Sequence, residues 1–131
     1  MSSLRNFTAM QRGAEPTKLT AADVKGRTER GERFVFVDAR GQKEWRESDS
    51  MLPGAIRLTA DEVEEHLKEI PQGQTVIAYC NSPNEDSSTR LARELMRHGF
   101  LNVHPMIGGI DAWRVVGGPI ERKQLFFPAK R

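Results

Sequence analysis

The sequence predicts an α/β fold in three layers, a central and mostly parallel sheet with helices on both faces, and three observations point to it. FVFVD and TVIAYC are short continuous apolar runs of the kind that form buried strands. Between such runs lie segments whose apolar residues recur at three- and four-residue spacing, as on the inner face of a helix. The chain has 131 residues, 37% hydrophobic and 29% charged, which suits one compact domain with a modest core. Alternating strands and helices then imply right-handed crossovers and a parallel sheet.

Residues 1–18 show no sustained apolar periodicity and contain Gly13 and Pro16, so they read as a flexible N-terminal arm, with the domain over 19–120 and a C-terminal extension over 121–131. Thr20 followed by Asp23 is a helix-start signal. The charged turn GRTERGER precedes the first strand, residues 34–38. A short helix is expected around Gln42 to Glu47, then the turn MLPGA and a strand over 55–58. Thr59 is expected to cap a helix through Ile70 that carries Val63, Leu67 and Ile70 on one face, with Pro71 and Gly73 stopping it. A strand over 75–80 follows, then a helix from Ser87 to His98 with Leu91, Leu95 and Met96 on its apolar face. In the strand 103–107, Pro105 suggests a sheet edge or a bulge. Gly108 and Gly109 lead into a helix bearing Trp113, which is expected in the core.

Composition narrows the partners. The formal charge of +2 comes from 20 basic and 18 acidic residues mixed along the chain, so no single-sign field for nucleic acid is expected. No apolar run reaches the roughly 18 to 20 residues of a membrane helix, and no apolar leader opens the sequence, so no membrane partner is expected and the cytoplasm is the expected compartment. A single cysteine excludes an internal disulfide and any Cys-x-x-Cys motif, and His66, His98 and His104 have no ligand spacing, so no metal is expected.

That cysteine, Cys80, ends the run TVIAYC and opens the polar loop NSPNEDSS. Active sites of parallel sheets lie beyond the carboxyl ends of strands. A thiolate there faces backbone N–H groups and a helix amino terminus, which stabilise negative charge, so Cys80 reads as a nucleophile; the competing reading is a small core residue. Pro83 constrains one backbone angle and Asn84 tolerates an unusual one, which suits a tight cradle of amides over Asn81, Ser82, Pro83, Asn84, Glu85, Asp86 and Ser87. Ser87 is expected to cap the following helix, and Glu85 and Asp86 to face solvent or Arg90. Asp38 can accept loop hydrogen bonds at its strand end, and Arg40 can pair with a nearby acid. A Cys-x5-Arg phosphate loop is absent, because the sixth position after Cys80 is Asp86.

Over roughly residues 19–120 the chain resembles the rhodanese-like family of sulfurtransferase domains. The resemblance is carried by VFVDAR at 35–40, EW at 44–45, LPGAI at 52–56, VIAYC at 76–80, HGFLNV at 98–103, GGIDAW at 108–113 and GGP at 117–119, in that order. It implies a rhodanese-like fold and a sulfurtransferase activity. Cys80 would accept sulfane sulfur as a covalent persulfide, with no other cofactor, and pass it to a thiophilic acceptor. A sulfur donor and a thiol acceptor, small molecules or proteins, are the implied partners, and Asp38 and Arg40 the implied supporting residues. The loop departs from the common form, Cys-x-x-Gly with an arginine after it, by having Pro83 in the glycine place and Glu85 in the arginine place, which puts thiosulfate in doubt as donor. A noncatalytic rhodanese-like binding or regulatory module is the alternative.

Overall fold

A computed structural model describes residues 15–81 and 83–123. Strand β1 (Leu19–Thr20) leads into helix α1 (Ala21–Glu29), and β2 (Phe34–Asp38) into the short α2 (Gln42–Glu47). Strands β3 (Ser50–Met51) and β4 (Ile56–Arg57), helix α3 (Val63–His66), β5 (Thr75–Tyr79), α4 (Asp86–Arg97), β6 (Val103–Ile107), α5 (Gly109–Val115) and β7 (Glu121–Arg122) follow. The central sheet has the order β1-β6-β5-β2-β4 with every neighbouring pair parallel, while β3 and β7 form a separate antiparallel ribbon.

Two-residue periodicity divides the strands between two cores. Val35, Val37, Val76, Ala78 and Val103 pack with Val63 of α3 and with Leu91, Ala92, Leu95 and Met96 of α4. From the opposite face, Phe36, Ile77, Tyr79 and Met106 pack with Val24 of α1 and with Ile110 and Trp113 of α5. Trp113 meets the Phe36 ring edge-on at 5.6 Å and donates its indole N–H to Pro119 O at 2.7 Å, so its polar edge is satisfied inside the core. Among the described residues no helix is long and apolar enough to cross a membrane.

Local signals placed most elements. Thr20 caps α1 by accepting from the Asp23 amide at 3.0 Å, and His98 caps the far end of α4, its Nδ1 2.9 Å from Glu94 O. Several expectations need correction. The helix expected from Thr59 to Ile70 is broken into 310 turns at 60–62 and 67–69 around the four residues of α3. Asp61, Glu62, Glu64 and Glu65 place like charges at neighbouring helical positions, and Thr59 Oγ1 donates to Glu62 Oε1 instead of capping a backbone amide.

Pro105 lies inside the sheet, between β5 and β1. Val76 N–H donates to Asn102 O, which turns the alternate nitrogen at Pro105 away from β5; β1 joins β6 only at Met106 and Ile107. The missing N–H therefore falls where no ladder bond with β5 is needed.

Residues 15–18, assigned by sequence to the arm, are fastened to the domain. Pro16 is buried, Glu15 holds Arg93 through two hydrogen bonds of 2.7 and 3.1 Å, and Thr17 O lies 2.7 Å from His104 Nδ1. The remainder of the expected arm, residues 1–14, lies outside the described residues. Of the extension, Glu121 and Arg122 form β7 and Lys123 is buried; residues 124–131 lie outside the described residues.

Candidate active site

Register brings the ends of β2 and β5 together. Asp38 pairs with Tyr79, and the Ala39 amide donates to Tyr79 O at 2.8 Å, so Cys80 emerges beside Ala39 just past the carboxyl end of β5. The apolar run that buries β5 also carries Cys80 to 1% exposure. Its Sγ lies 3.4 Å from Ser88 Oγ, which donates in turn to Glu85 O at 3.2 Å. Ser88 is the third residue of α4, so the sulfur faces the amino-terminal turn of that helix. From the other side, Ile110 N–H donates to Cys80 O at 3.3 Å.

The loop of Asn81 to Ser87 turns through consecutive left-handed residues, Asn84 at φ 55° and Glu85 at φ 56°. Such conformations are costly for residues with a Cβ and persist where surrounding bonds hold them. Glu85 supplies those bonds. One carboxylate oxygen accepts from Gly108 N–H at 3.0 Å and the other from Lys18 Nζ at 2.9 Å, while Lys18 also donates to Asn84 O at 3.1 Å. Burial raises the Glu85 carboxyl, and the Gly108 amide and the Lys18 bond and charge outweigh it, so its pKa falls below the ordinary value. Glu85 thus faces Lys18 and Gly108, contrary to the expected solvent or Arg90, whereas Asp86 is exposed as expected. Ser87 lies within the first turn of α4, where the N-cap position is Glu85 and not the expected Ser87. Asn81 is exposed and Pro83 opens the 310 turn before α4; Ser82 lies outside the described residues.

Asp38 and Arg40 form a buried unit next to the loop, each 1% exposed. Arg40 grips the carboxylate with Nε at 3.0 Å from Oδ1 and Nη2 at 2.6 Å from Oδ2, and its Nη2 also donates to Ser50 O at 2.8 Å. The Arg40 amide donates to Asp38 Oδ1 at 3.1 Å, the loop bond expected of Asp38. Tyr79 O–H adds a bond of 3.0 Å to Oδ2 and accepts from Leu52 N–H at 3.2 Å. Burial pushes the Tyr79 hydroxyl pKa up, and the neighbouring Asp38 charge adds to it, so the tyrosine stays a donor.

A cleft of about 460 Å³ opens over these strand ends, lined by Ala39, Arg40, Trp45, Arg57, Ser87 and Arg90 among others. Arg57 Nη1 donates to Asp38 O at 3.2 Å and to Arg40 O, and its guanidinium sits 5.2 Å from the centroid of the Trp45 ring. Burial lowers the Arg57 pKa, with Asp38 and Glu62 opposing the fall. Sequence reading missed Arg57, Ser88 and Lys18. Arg57 was within reach, because it ends a strand as Cys80 does, but Lys18 meets the loop across 67 residues of chain and had no local signal.

A cysteine just past a central parallel strand, at a turn that leads into a helix, sets the candidate site where α/β proteins with parallel sheets carry theirs. Residues 20–115 match the family model described as the rhodanese-like domain, and the chain belongs to that family. It is 33% identical over 89 residues to a sulfurtransferase of Allochromatium vinosum, covering 68% of this chain and 79% of that protein. The thiosulfate sulfurtransferase GlpE of Coxiella burnetii is 28% identical over 81 residues, 62% of this chain and 72% of that protein. An HTH-type transcriptional regulator of Mycobacterium tuberculosis is 28% identical over 112 residues, and this chain spans only 46% of its length. Among solved structures, a Bacillus halodurans protein matches with TM-score 0.68 and 24% identity, covering 98% of this chain and 94% of that one.

Proposed function

We propose that the chain is a sulfurtransferase in which Cys80 carries sulfane sulfur as a persulfide. The observation that carries the reading is the position of Cys80 Sγ, at the end of β5 and 3.4 Å from the hydroxyl of Ser88 in the first turn of α4, within a domain of this family. The Cys80 thiolate attacks the outer sulfur of the donor. A Cys80 S–S bond forms as the donor's bond to that sulfur breaks, and its electron pair leaves on the donor as a thiolate, or as sulfite if the donor is thiosulfate. An acceptor thiolate then attacks the terminal sulfur and Cys80 leaves as thiolate, so the cycle requires no external oxidant. In this reading the loop's backbone N–H groups, of which Pro83 supplies none, and the first turn of α4 at Ser88 favour charge on the carried sulfur. With Glu85 tied to Lys18 and Gly108, the loop carries no arginine of its own before Arg90, and a small or protein persulfide suits it better than thiosulfate.

The 1% exposure of Cys80 favours a second reading, a noncatalytic binding module whose cysteine is a core residue. Intact-protein mass spectrometry after incubation with thiosulfate, mercaptopyruvate and glutathione persulfide in turn separates the two. The transferase gains the mass of one sulfur and Cys80→Ser gains none; no gain from any donor favours the module.

A further inference from the structure

We propose that Arg57 anchors the carboxylate of a small thiol or persulfide substrate in the cleft beside Cys80, through a two-fold hydrogen bond. This rests on the sulfurtransferase reading for the chemistry at Cys80, but the binding it describes stands on the geometry of Arg57.

Charge around the cleft is matched for every arginine but one. Arg40 is neutralised by Asp38, and Arg90 lies 3.5 Å from Asp61. All aspartates and glutamates of the chain fall among the described residues, and none of them forms an ion pair with Arg57. Among the described residues this half-buried guanidinium is hydrogen-bonded to carbonyls alone, Asp38 O and Arg40 O, and Asp38 and Glu62 act on its charge without an ion pair, so it stands at the cleft wall as a cation with no directly bonded carboxylate. Lys123 packs on Trp45, a residue of that wall. It is 7% exposed, forms no ion pair among the described residues, donates to Trp45 O, and holds its ammonium 3.9 Å from the centroid of the Trp45 ring that Arg57 also faces.

The free edge of Arg57 specifies the ligand. Both of its hydrogen bonds use Nη1, so Nε and Nη2 have no protein acceptor among the described residues. Arg40 uses that same Nε and Nη2 edge to hold the Asp38 carboxylate, which demonstrates the fit within this site. The carbonyl bonds and the Trp45 ring fix the Arg57 guanidinium in place before a ligand arrives. Asp61 and Glu62 line the same cleft and disfavour a doubly charged phosphate or sulfate, leaving a planar, singly charged carboxylate. Ala39, whose amide donates to Tyr79 O, and Ser87, next to Ser88, line this cleft, so Cys80 lies behind its wall, and the volume of about 460 Å³ suits a small molecule.

The test uses a nonreactive pair, (methylthio)acetate and its neutral amide, titrated into Cys80→Ser protein while the Trp45 indole N–H resonance is followed. The carboxylate is expected to bind about tenfold or more tightly than the amide, and Arg57→Gln to abolish that preference. Arg57→Lys, which keeps the charge without the planar edge, is expected to retain a reduced preference, so the result does not depend on one variant folding. Equal binding of the two probes, or an unchanged preference in Arg57→Gln, overturns the proposal. With reactive donors, Arg57→Gln should slow Cys80 loading about tenfold from cysteine persulfide and less than twofold from 2-hydroxyethyl persulfide; equal slowing with both overturns the specificity role. Absence of loading from every donor defeats the sulfurtransferase reading, while the binding titration still decides Arg57.

Discussion

At Gly109 the backbone of α5 touches the carbonyl of Cys80. A Cβ built there would lie 1.5 Å from Cys80 O and 2.7 Å from Cys80 C, and the residue has φ +57°. Neither backbone atom can swing aside as a side-chain tip would, and the left-handed angle adds its own strain. Gly109→Ala should therefore lower stability by roughly 3 kcal/mol or more, seen as a fall in the urea midpoint. It should also slow persulfide formation, because the Ile110 amide loses its position on Cys80 O. A variant with wild-type midpoint would show that the contact is not close. The sequence exposes the glycine pair but not its purpose, since the atom it must clear belongs to a residue 29 positions earlier.

At the scale of the element, the turn over residues 83–85 is held open by one carboxylate. Glu85 has a folded pKa below its ordinary value, so its bonds to Lys18 and Gly108 add stability above the unfolded carboxylate value of about 4.3. That contribution is lost as pH falls through the lower folded value. Melting temperatures of wild type and Glu85→Gln should thus differ at pH 6 and converge toward pH 3. A gap that stays constant across this range would mean that the Glu85 charge does not fasten the turn. The acidic residues of this loop were legible as a feature of the sequence, but their direction was not. Lys18 and Gly108 come from distant parts of the chain, and a carboxylate takes whichever donors the fold presents.

Across the whole molecule, the five-stranded sheet and the β3–β7 ribbon differ in kind. Strand β5 is buried and paired on both sides, by β2 and β6, whereas Glu121 and Arg122 of β7 are exposed and pair only with β3. Hydrogen exchange should accordingly be slowest for Val76 to Tyr79, at the rate of global unfolding, and at least tenfold faster for the ribbon amides. Equal protection would mean that ribbon and sheet open as one unit. The ribbon went unseen in the sequence because two-residue strands carry no periodicity, and the same holds for β1.

Local pattern along the chain was enough for strands β2, β5 and β6, for helices α1, α2, α4 and α5, and for the placement of Cys80 at a strand's carboxyl end. Each of these follows from apolar residues spaced along a few consecutive positions, and the family resemblance rests on the same runs. Only the folded chain settles which way Glu85 points, that Pro105 lies within the sheet, that the helix expected at 59–70 breaks, and that Arg57 lines the cleft with no acid in an ion pair with it. Those outcomes depend on partners far apart in the chain, whose meeting is set by the packing of both sheet faces and not by any local pattern.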